Sequence, residues 1–147
     1  MVTASGFALA AAGAFFLTGL VTGAWKYVCI VRSAEAKAPA YVDTAHRASL
    51  LYAFASALIA TFVGHSAWSN AVNLAAVVVL VAYFAVSVLG YVVHGVLRDT
   101  DNQLQRPHRL GKGVIPNRAM LAFMFSLVAA EIGAFAVVLA GWAVAVR

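Results

Sequence analysis

Four apolar stretches, each about as long as a bilayer is thick, dominate this 147-residue chain. A membrane-crossing helix needs roughly 20 mostly apolar residues. The reading places helices at about 4–31, 46–68, 71–97 and 119–146, joined by basic loops at 32–45 and 98–118. Only a few residues around Ser69 and Asn70 separate the second and third spans, so these two must run antiparallel. The expected fold is an all-α integral membrane four-helix bundle occupying 1–147 as one transmembrane domain. Composition agrees: 64% of residues are hydrophobic, 10% are charged, and the mean hydropathy is +0.92. Soluble domains carry about 25% charged residues, so a water-soluble enzyme and a disordered chain are both excluded.

The net charge of +5 is a topology signal rather than a nucleic-acid footprint, because the cations flank the apolar runs. Lys26, Arg32, Lys37 and Arg47 lie around the first loop, and Arg98, Arg106, Arg109, Lys112 and Arg118 around the third; the opposite face has only Arg147. Cytoplasmic loops hold the excess of Lys and Arg. Both basic loops are therefore expected in the cytoplasm and both termini outside, across a bacterial inner membrane. The first cation follows the first apolar run, which speaks for a retained helix and against a secretion signal. The third loop, polar and rich in turn formers, is expected to be the most mobile segment. Cys29 is the sole cysteine, leaving no disulfide framework. Gly19 and Gly23 form a GxxxG face, which suits either packing within the bundle or a subunit contact.

Polar residues inside apolar spans are costly and are the functional candidates. His46 stands at the start of the second span, Tyr52 six residues further in, and Tyr91 and His94 near the end of the third. By helical rise these four share a depth, and if spans two and three face each other they form one His/Tyr cluster. Glu131, the one acid inside a span, is expected to be protonated and hydrogen-bonded to a neighbouring helix. His65 and Trp68 are expected to anchor the opposite interface. The chain has no HExxH, GxSxG, Walker-type or CxxC motif. Imidazole and phenol remain as the strongest groups, and haem iron is the chemistry that uses imidazole best.

The stretch Ala45-His46-Arg-Ala-Ser-Leu-Leu-Tyr52, with an apolar span, a short loop and a third span reaching Leu89-Gly90-Tyr91, resembles the bacterial styrene oxide isomerases. The related hydroxylaminobenzene mutases share the Ala-His start of span two. The resemblance runs through all four spans in order, firmest from Ala45 to Tyr91, with Phe123 and Gly133 in plausible places in the fourth. It implies a four-helix protomer of a homotrimer that binds haem b, with His46 as axial ligand to the iron and Tyr91 in the substrate pocket. The implied reaction is the Meinwald rearrangement of a small aryl epoxide to an aldehyde, with ferric iron as Lewis acid. Two positions depart from the family pattern: Tyr52 and Ser87 stand where the family has asparagines. Two other readings stay open. One is a haem-b cytochrome subunit ligated by both His46 and His94; the other is a haem-free membrane scaffold for a partner complex.

Overall fold

The computed structural model describes residues 2–147 and contains four long helices: α1 (Ala4–Arg32), α2 (Ala40–Gly64), α3 (Asn70–Leu97) and α4 (Asn117–Ala145). All four are long and apolar enough to cross a membrane, so the chain is a multi-pass membrane protein with an all-α core. At 1.5 Å per residue, 25 to 29 residues reach about 38–43 Å, beyond the ~30 Å hydrocarbon layer. Helix starts follow local chemistry. Thr3 caps α1 by accepting from the Gly6 amide at 3.1 Å, and Ser69 caps α3 by accepting from the Val72 amide at 3.4 Å. Pro39 and Pro116 immediately precede α2 and α4. Proline has no N–H to satisfy, so a helix start tolerates it where a helix interior does not.

Two expected boundaries are corrected. The second helix begins at Ala40 rather than His46, and ends at Gly64 rather than residue 68. Its first turn and a half carries Asp43 and Thr44, which lower the local hydropathy without weakening the helix. Asp43 pairs with Lys26 of α1 at 2.5 Å, so this polar turn is anchored to its neighbour. The loop at 98–118, expected to be the most mobile segment, carries secondary structure of its own. It contains a two-stranded antiparallel hairpin, β1 (His108–Leu110) and β2 (Gly113–Ile115), with Leu110 opposite Gly113. The two-residue turn is made possible by Gly111, whose φ of +60° a residue with a side chain rarely adopts.

Helices α2 and α3 are central; α1 packs on both from one side and α4 on both from the other. The closest pair is α1 with α2, and the GxxxG face accounts for it within one chain. Added methyl groups at Gly19 and Gly23 would stand 2.5 Å from Leu50 and 2.9 Å from the His46 ring. The core runs through Phe15, Ile59, Val77, Leu80 and Phe84. At the end away from the basic loops, the turn after α2 is tied to α4. The Ala67 amide donates to the Gly141 carbonyl at 3.0 Å, and Trp68 Nε1 donates to the Val137 carbonyl at 3.0 Å. The expected anchor thus holds the fourth helix to the bundle, while exposed His65 ends α2 with its Nδ1 3.0 Å from the Thr61 carbonyl. Only Val138 and Gly141 of α4 are buried, which makes it the most peripheral helix.

Candidate functional site

The four residues expected to converge fall into two places on different faces of α2. His46 and Tyr52 are six positions apart, which is about 120° around a helix of 3.6 residues per turn. Depth brings them to a similar level, but angle separates them. His46 turns toward α1, where its ring lies in the notch left by Gly23 and its Nδ1 is 2.8 Å from the Gly19 carbonyl oxygen. A carbonyl only accepts, so Nδ1 carries a proton, and in the neutral ring the lone pair is then on Nε2. Nε2 has no partner among the described residues. This is the tautomer and the outer hydrogen bond of a metal-ligating histidine, in which the second ring nitrogen is fixed by an acceptor. His46 could thus hold a metal through Nε2. No three His, Cys, Asp or Glu side chains converge among the described residues, so a bare-ion site of the zinc type is not assembled.

Tyr52, Ser87, Tyr91 and His94 do come together. They line a chamber of about 450 Å³ between α3 and α4, roofed at the basic end by Gln103, Leu110 and Ile115 of the connecting segment. Positions 87, 91 and 94 recur at i, i+4 and i+7, which puts them on one face of α3. Met120, Phe123, Met124 and Leu127 of α4 form the facing wall. Tyr52 reaches this chamber from α2 with its ring stacked on Phe84 at 4.2 Å and tilted against Phe15 at 6.0 Å. Its ring thus belongs to the aromatic core as well as to the chamber wall.

His94 is 5% exposed, and its Nδ1 stands 2.8 Å from a carboxylate oxygen of Asp99. The local backbone explains the pairing. Arg98 ends α3 in the left-handed region (φ 50°, ψ 38°), its amide donating to the His94 carbonyl, and this reversal folds Asp99 back toward the last turn. The other Asp99 oxygen accepts from the Gly111 amide, tying α3 to the hairpin. Burial pushes the Asp99 carboxyl up, but the hydrogen bonds from His94 and Gly111 outweigh it and hold it below the ordinary value. Tyr41 of α2 packs its ring 5.0 Å from His94 and 5.9 Å from Tyr91, and its hydroxyl accepts from the Gln103 amide at 2.6 Å.

Glu131 lies apart from this chamber. It borders a second, apolar cavity with Leu58, Ile59, Phe84 and Phe135, and its Oε1 is shut off from solvent without a hydrogen-bond partner. The expected hydrogen bond to a neighbouring helix is therefore not made at that oxygen. Tyr41, Asp99 and Gln103 escaped the sequence reading. Asp99 gave no signal beyond its place five residues after a span-end histidine, because the residue types do not announce the reversal at Arg98 that pairs them. Tyr41 and Gln103 had none, because only the fold brings them to α3. His46 and His94 do not share a cavity, so no observation favours joint ligation of one iron. No family model, curated protein or solved structure matches the chain.

Proposed function

We propose that this protein is a haem-b-dependent membrane isomerase that converts a small aryl epoxide to an aldehyde. The observation that carries the reading is His46: an imidazole held through Nδ1 to the Gly19 carbonyl, with Nε2 unpartnered among the described residues, at the position the isomerase resemblance gives to the iron ligand. Ferric haem, when bound, supplies a Lewis acid for the epoxide oxygen. The chain's own residues supply the rest. Tyr91 orients the oxygen by a hydrogen bond, and Tyr52 and Phe123 confine the aryl ring. Chamber walls of Met, Leu and Phe keep water from trapping the benzylic cation as a diol. A 1,2-hydride shift then gives the carbonyl with no net redox change. One chain holds His46 and Tyr91 on different sides of α2, so the reading includes the homotrimer that the resemblance implies. The proposed placement is the bacterial inner membrane, with the basic loops cytoplasmic and both termini outside.

The test is the visible spectrum of the purified protein together with product analysis. A Soret band in the wild type, formation of aldehyde from styrene oxide, and loss of both in His46→Ala are expected. A colourless protein that takes up no added haemin, or a His46→Ala variant that stays fully haem-loaded and active, would overturn it.

A further inference from the structure

We propose that the chamber between α3, α4 and the hairpin binds a small neutral aryl molecule through one hydroxyl group. His94 is the contacting group and Asp99 the residue that positions it. The proposal goes beyond the isomerase reading, because Nε2 of a neutral ring whose Nδ1–H donates to Asp99 accepts a hydroxyl hydrogen and offers nothing to an epoxide oxygen; it rests on that reading only for the aryl class of ligand.

The contrast between two histidines carries the inference. His94 and His108 are each 5% exposed and belong to the same end of the molecule. His108 has a polar partner at both nitrogens, with Nδ1 3.1 Å from the Gln103 carbonyl, which accepts, and Nε2 3.0 Å from the side-chain amide of Asn117, an end group that can also donate. That is how a histidine with a structural task is built, because a buried polar nitrogen without a partner costs stability. His94 has only its Nδ1 engaged, by Asp99, and no described residue meets its Nε2. Yet it borders the chamber. Its ring is held between the Asp99 carboxylate and the Tyr41 ring, so the free nitrogen is fixed in place before any ligand arrives.

The walls define the class of ligand. About 450 Å³ is in the range of small-molecule sites, and no Lys, Arg, Asp or Glu side chain lines the chamber. A charged molecule would lose its hydration there without a counter-ion. The polar groups are His94, Tyr91 and Ser87 on α3, Tyr52 on α2 and Gln103 in the roof, against an α4 wall of methionine, leucine and phenylalanine. Such a site takes one ring and one hydroxyl group. Val86, 48% exposed on the outer surface of α3, borders the chamber and marks a route from the bilayer.

The experiment uses the full protein in lipid nanodiscs and two probes of similar shape, 2-phenylethanol and ethylbenzene, with concentrations referred to the lipid phase and empty nanodiscs subtracted. One buried hydrogen bond corresponds to about a tenfold preference for the alcohol, or about 1.4 kcal/mol. The wild type is expected to show that preference. His94→Leu should lose it while still binding ethylbenzene, and Asp99→Asn should reduce it severalfold. Gly90 lines the chamber with open space beyond its Cα, so Gly90→Leu should exclude both probes without disturbing the helix packing. If His94→Leu fails to fold, nitrogen-15 NMR of the unmutated protein decides. One histidine Nε2 resonance should move with the alcohol and not with ethylbenzene. No preference in the wild type, or an undiminished one in His94→Leu, would overturn the proposal. Preference without haem uptake sinks the isomerase reading and supports this site; haem uptake and turnover without preference do the reverse.

Discussion

Replacing Gly23 by alanine tests whether the α1 notch sets the state of His46. The added Cβ would lie 2.9 Å from both Cε1 and Nδ1 of the ring. Real methyl contacts are not that short, so the ring must move, and moving it pulls Nδ1 off the Gly19 carbonyl. Overpacking costs about 1–3 kcal/mol, and the lost hydrogen bond about 1 kcal/mol more. Alanine returns about 1 kcal/mol through its better helix propensity. The net expectation is a loss of about 1–3 kcal/mol of bundle stability, read as the midpoint of unfolding in a denaturing detergent. Gly13→Ala is the matched control on the same helix, since nothing lies within 4 Å of its added Cβ. That variant should be as stable as the wild type or slightly more so. If haem binds through His46, loss of the outer hydrogen bond should also weaken uptake by 10- to 100-fold in Gly23→Ala alone. Equal unfolding midpoints for Gly23→Ala and Gly13→Ala would refute the notch argument, whatever the haem titration shows.

Tyr52→Asn restores the residue type of the resembled family, yet here it removes a ring stacked on Phe84 and packed near Phe15. It should cost about 3 kcal/mol by detergent unfolding, and the double variant Tyr52→Asn/Phe84→Leu should cost less than the sum of its parts. The His94–Asp99 link should show in the pH dependence of stability. A carboxyl whose folded pKa is lowered contributes stability above its ordinary value of 3.8 and loses it as pH falls through the folded value. The melting-temperature gap between wild type and Asp99→Asn should therefore be constant at neutral pH and close below about pH 3.8.

Length and hydropathy were enough to locate four helices, because outside a closed β-barrel only a helix lets a backbone cross a bilayer without unsatisfied polar groups, and these apolar runs are too long for barrel strands. The start of α2 was missed because hydropathy discounts Asp43 and Thr44, although Pro39 marks the boundary. The stripe of Ser87, Tyr91 and His94 was readable from spacing alone. Grouping His46 with them failed because rise was used without rotation: residues at one depth can face different neighbours. The link from His94 to Asp99 was not readable, since it depends on Arg98 adopting a left-handed backbone that its residue type does not encode.

Rotation is the hard quantity in such a chain. When every helix is apolar nearly all round, the hydrophobic pattern no longer says which face looks inward. Small residues take over that role, because packing rather than water exclusion holds membrane helices together. Gly19 and Gly23 receive Leu50 and His46, Gly95 receives Trp25 and Val42, and Gly141 receives Ser66 and Trp68. Gly13, Gly90 and Gly133 meet nothing. Glycine thus marks where helices can approach, and the neighbour's side chain decides where they do. At Gly23 that neighbour is the imidazole itself, so the packing of α1 on α2 and the chemistry of His46 are set by the same missing methyl group.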